Sequence, residues 1–124
     1  MKNIVLCGHS NCGALRAVVT GAALDDAPNL KQWLDHARPA LAMAQQQPGA
    51  TRHRPLQDRV SQSNVLLQLE HLSTYPAVRQ GLAHKTLSLV GWWFDIATGD
   101  VHVCDPITRS FELLNKDSLY RLTG

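Results

Sequence analysis

The segment Cys7-Gly8-His9-Ser10-Asn11-Cys12-Gly13-Ala14-Leu15 holds the residue types in this chain best suited to chemistry. An imidazole at His9 and a thiol at Cys12, three positions apart across a tight turn, can share one Zn²⁺ at about 2.0–2.3 Å. The thiolate is the form that binds metal, and the positive end of a helix starting near Cys12 favours it. Spacing alone does not decide the matter. Two donors fall short of the three or four protein ligands a zinc site ordinarily uses. A core cysteine beside a polar turn histidine fits the same residues equally well.

The elements around this segment would put the pair where α/β proteins place their ligands. Ile4-Val5-Leu6-Cys7 is a continuous apolar run ending at Gly8, as expected of a strand buried on both faces of a parallel sheet. His9-Ser10-Asn11 reads as a polar turn, with Ser10 or Asn11 available as an N-cap. From Gly13 the spacing of Ala14, Leu15, Ala17 and Val18 predicts a short helix. A strand running into a turn and then a helix leaves His9 and Cys12 outside the carboxyl end of the strand.

Downstream, Leu30, Trp33, Leu34, Ala37 and Leu41 recur at helical spacing to about Gln47, with Pro39 kinking or dividing the helix. Pro48 to Pro55 reads as a polar connector. A longer helix runs through Val60, Leu66, Leu67, Leu69 and Leu72, and Ala77 to Leu82 adds one or two more turns. Thr86 to Asp95 is rich in strand formers, and Ala97-Thr98-Gly99-Asp100 supplies a turn. Val101 to Cys104 returns as the second arm of a β-hairpin. Another turn at Pro106 to Thr108 precedes Phe111 to Leu114, and the tail from Asn115 reads as short helix or loose chain. The expected class is α/β: a partial, mostly parallel sheet with an antiparallel edge hairpin, flanked by helices.

Composition sets the outer limits. With 124 residues the chain has room for one domain, 1–124, and one modest core. Its 44% hydrophobic and 18% charged content is that of an ordinary globular chain. The net charge of +2 is small and the basic residues are scattered, so nothing reads as a nucleic-acid footprint. No run approaches the roughly 20 apolar residues of a membrane span, and the start carries no signal-peptide core. The cytosol is therefore the expected location. An odd count of three cysteines argues against a disulfide framework.

The remaining candidates read more plainly. Cys7 lies on the same side of its strand as His9 and could substitute as a ligand, but core packing is the better reading, as it is for Cys104. His36, His53, His71, His84 and His102 share no ligand spacing and read as surface or helix-end residues. Trp33, Trp92 and Trp93 read as core or subunit interface. Arg52, His53, Arg54 and Arg59 read as a solvated basic loop.

Beyond spacing, Ile4 to Leu15 resembles the second metal-ligand motif of the β-class carbonic anhydrases, a buried strand running into Cys-Gly-His-Ser-x-Cys-Gly-Ala. Asn64-Val65 with Gln68, Leu69, Leu72, Pro76 and Val78 resembles that family's penultimate helix. Leu89-Val90-Gly91-Trp92-Trp93-Phe94-Asp95-Ile96 with Gly99 resembles its Gly-Trp-x-Tyr-Asp hairpin, with Phe94 in place of tyrosine. Gly21 to Ser63 matches only loosely.

The resemblance implies reversible hydration of CO₂ to bicarbonate, Zn²⁺ as cofactor, and a homo-oligomer. It makes His9 and Cys12 two of three protein ligands. The third ligand and an Asp–Arg dyad belong to an earlier Cys-x-Asp-x-Arg motif that residues 1–124 do not contain, so no catalytic residue is assigned here. The expectation is a carboxy-terminal portion of the fold with impaired activity, its first strand lying at an open sheet edge. The alternative is a non-catalytic module for weak zinc binding or oligomerisation.

Overall fold

Alternation decides how the first strand sits. In β1 (Lys2–His9), Ile4, Leu6 and Gly8 are partly covered while Val5, Cys7 and His9 are exposed. One face therefore meets a helix and the other does not. This corrects the reading of the apolar run as buried on both faces, and it corrects Cys7, which lies on the exposed face instead of in the core.

The computed structural model describes residues 1–47 and 53–116. After β1 come α1 (Gly13–Thr20), α2 (Pro28–Leu34), α3 (Pro39–Gln45), α4 (Leu56–Ser73) and α5 (Pro76–Ala83). The strands β2 (Leu87–Phe94), β3 (Val101–Cys104) and β4 (Phe111–Leu113) follow. Most of the connector (48–52) and of the tail (117–124) lies outside the described residues.

The helix boundaries follow from local chemistry. α1 stops where Gly21 turns left-handed at φ 66°. Pro28, Pro39 and Pro76 each open a helix, where a missing N–H costs nothing. Pro39 thus divides the predicted long helix in two. Sequence misplaced the cap of α1, whose N-cap is Cys12 with no side-chain bond. Ser10 is not free to cap, because its Oγ accepts the Ile96 N–H at 2.9 Å. Asn11, at φ 51°, accepts instead from Arg16 Nη2 through its Oδ1.

The four strands are ordered β1-β2-β3-β4. β1 and β2 pair in parallel, Gly8 opposite Trp93 and His9 opposite Phe94. β2–β3 and β3–β4 are antiparallel, so the sheet is mixed, with the expected hairpin at one side and β1 at the other edge. The helices that touch the sheet, α4 and α5, do so on the face of Gly8, Gly91 and Leu87. On the far side of α4, Leu15 and Val18 of α1, Leu34 of α2, Ala40 and Ala44 of α3, and Val60 and Leu67 form the helical core.

α4 approaches the sheet closely because two strand residues are glycines. A Cβ on Gly8 would lie 2.8 Å from Val65 Cγ2, and one on Gly91 would lie 3.0 Å from both Val65 and Leu69. Beside them Trp93 is completely buried. Trp33, by contrast, is 72% exposed on α2 and takes no part in the core.

Candidate metal centre

β1 delivers His9 at its last position, and α1 begins one residue after Cys12. The expected strand–turn–helix is present, with both residues at the carboxyl end of the strand. His9 Nδ1 faces the carbonyl oxygen of Ser10 at 2.8 Å. When the ring is neutral, that bond assigns the proton to Nδ1 and leaves the Nε2 lone pair for a metal. Cys12 is half-buried, outside any disulfide, and makes no side-chain cap bond. In kind, these donors suit Zn²⁺. In number they do not complete a site: no group of three or more His, Cys, Asp or Glu residues placed to hold a metal occurs among the described residues.

The turn carrying the pair is tied on two sides. Toward the sheet, Ser10 N–H donates to Phe94 O at 2.9 Å. Toward α4, Gln57 Nε2 donates to Cys12 O at 2.9 Å, Asn11 N–H donates to Asp58 Oδ1 at 3.1 Å, and Ser61 Oγ donates to His9 O at 2.8 Å. Sequence reading missed all three α4 residues. No local pattern marks them, because each is set by a partner 45 to 52 positions earlier in the chain.

The other candidates are dispersed. Cys104 is buried in β3, and burial, only partly offset by the Arg109 charge, pushes its thiol up to about 11. Cys7 is exposed as a residue, yet desolvation around its sulfur raises its thiol too. A groove of about 770 Å³, bounded by Leu66, Leu69, Leu87, Trp92, Cys104 and Arg109, reaches neither His9 nor Cys12.

Two readings need correction. Arg54 is no solvated loop residue: its guanidinium stacks 4.8 Å over the Trp93 ring and lies 3.8 Å from Asp95. Arg59 donates to the carbonyls of Arg54 and Ala44, while Arg52 lies outside the described residues. His102, expected at the surface, is held between Trp93 and Arg54, with Arg54 Nη2 3.2 Å from His102 Nε2. The Arg54 contacts to Trp93 and His102 span about 40–50 positions, which local pattern does not reveal, whereas Trp93 meets His102 directly across the β2–β3 pair.

Comparison with known proteins follows the same line. The carbonic anhydrase family model matches residues 1–101. A carbonic anhydrase of Pseudomonas aeruginosa is 38% identical over 98% of this chain and 55% of its own length. Carbonic anhydrase 1 of Escherichia coli O157:H7 is 35% identical over 90% of this chain and 50% of its own. The chain thus spans about half the length of the curated relatives it matches. Among solved structures, the β-carbonic anhydrase CcaA superposes with a TM-score of 0.80 at 29% identity, covering 94% of this chain and 52% of that one. A tetrameric β-carbonic anhydrase of Sordaria macrospora gives 0.69 at 28%, covering 83% and 52%.

Proposed function

The chain belongs to the carbonic anhydrase family, in its β class, and from that premise we propose that it takes part in the zinc-dependent reversible hydration of CO₂ to bicarbonate. Residues 1–124 supply one domain of that fold and two metal ligands, His9 through Nε2 and Cys12 through Sγ. The observation that carries this reading is the turn itself, which ends a strand on a histidine with its Nδ1 already engaged and starts a helix on a free thiol. Bound zinc would supply a Lewis acid that brings the ionisation of water to near neutral pH. This chain's own part is to hold that ion: the Ser10 carbonyl orients the imidazole, and α1 fixes the backbone of the thiol.

No group of three or more donors placed to hold a metal occurs among the described residues, so the third ligand is expected from outside them. The tetrameric relative supports assembly into a homo-oligomer. The three unpaired thiols, and the lack among the described residues of any helix long and apolar enough to cross a membrane, support a cytosolic setting.

Metal content and thiol protection test the reading together. Cys12→Ser and His9→Ala are expected to weaken zinc binding by more than the roughly 10–100-fold that loss of an outer-shell partner costs. In the unsubstituted protein, zinc is expected to slow alkylation of Cys12 and to leave Cys7 unaffected. Zinc uptake untouched by either substitution, or protection of Cys7 instead, would overturn the assignment. Residues 1–124 alone are expected to hydrate CO₂ at close to the background rate, since no group of three metal donors occurs among the described residues.

A further inference from the structure

Three side chains from the first two turns of α4 reach the segment His9–Cys12, where β1 passes into α1, each engaging a different main-chain group. Gln57 holds the carbonyl of Cys12, Asp58 the N–H of Asn11, and Ser61 the carbonyl of His9. Positions 57, 58 and 61 are neighbours on one helical face. The grips are themselves braced. Gln57 Oε1 accepts from Arg16 Nε at 3.2 Å, and Arg16 Nη2 donates to Asn11 Oδ1 at 2.7 Å. Ser61 Oγ, 2% exposed as a residue, accepts from Trp93 Nε1 at 3.0 Å.

None of these bonds is needed to form α4, whose helix propagates through its own backbone. What they do fix is the path of the chain between two side chains that must converge on one ion. Resting on the reading of His9 and Cys12 as zinc ligands, we propose that Gln57, Asp58 and Ser61 are positioning residues of the metal site: a cradle on α4 that sets the spacing of imidazole and thiol before metal arrives. Gln57 governs the thiol and Ser61 the imidazole. Asp58 holds Asn11 in the left-handed conformation that lets the turn close.

The test compares metal binding with the fold's own stability. Gln57→Glu keeps the side-chain length and places an acid in the first turn of a helix, where it is tolerated. It also replaces the donor to Cys12 with a group that, when ionised, only accepts. Ser61→Ala removes the hydroxyl without altering charge. Asp58→Asn keeps an oxygen acceptor for the Asn11 N–H and is expected to restore the affinity that Asp58→Ala loses. Zinc affinity is read by chelator competition, the thiolate-to-metal band is read in the cobalt-substituted protein, and melting is read without metal.

The cradle predicts a roughly 10–100-fold loss of zinc affinity and a changed cobalt band in Gln57→Glu, with metal-free melting little altered. Ser61→Ala is expected to lose affinity as well, beyond any loss of melting temperature. Variants that bind zinc like the unsubstituted protein, whatever their melting, would reduce the three residues to packing and sink this inference alone. An unsubstituted protein that takes up no zinc would sink the ligand reading and the cradle with it.

Discussion

His102 shows how one side chain can be forced into a single state. Arginine only donates hydrogen bonds, so the Arg54 contact makes His102 Nε2 the acceptor and leaves the ring proton on Nδ1. That nitrogen is buried with no partner of ordinary geometry among the described residues. Burial first, and the Arg54 charge second, hold the imidazole below its usual 6.5, against the pull of Asp100, Asp95 and the Trp93 main chain. The unfolded chain therefore binds the extra proton more readily, and folding stability falls as pH drops below about 6.5. The urea midpoint is expected to fall between pH 7 and pH 5.5. His102→Gln, which keeps an acceptor for Arg54, is expected to flatten that decline, and an unchanged slope would show that other groups cause it.

At the scale of elements, the joint between β1 and α4 governs how accurately the turn is presented. Gly8→Ala would drive its methyl into Val65 Cγ2. A cost of about 1–3 kcal/mol is expected for this overpacking. Val65→Ala in the same chain is expected to return part of it, and a double variant less stable than the two losses combined would refute the contact. Sequence made much of this level readable. The strand, the turn, α1 and the β2–β3 hairpin all announce themselves through short-range pattern. What stayed hidden was set by distant partners. Ser10 looks like a helix cap until Ile96 claims its hydroxyl, 86 positions away. Gln57, Asp58 and Ser61 look like ordinary polar residues of a helix until the turn 45 to 52 positions earlier is laid against them. The apolar run of β1 looks doubly buried because periodicity cannot reveal that both sheet-packing helices take the same side.

For the molecule as a whole, that one-sided coverage matters. Val5 is 45% and Phe94 36% exposed on the open face, and β1 forms the sheet's outer edge. An uncovered apolar face beside an unpaired strand favours association. Residues 1–124 are expected to self-associate with rising concentration in sedimentation, and Val5→Lys, which puts a charge on that face, is expected to shift them toward monomer. A chain that stays monomeric at every concentration would count against the open face as the cause.

Gly8, Ser61, Val65 and Trp93 occupy one shared volume, with the indole nitrogen, the hydroxyl and the missing methyl each defining room for the next. Such a group cannot drift one member at a time. A lineage that enlarged the glycine would have to shrink the valine, and one that lost the hydroxyl would have to find the indole another acceptor. Among descendants of this chain the four should be inherited, or exchanged, as a unit.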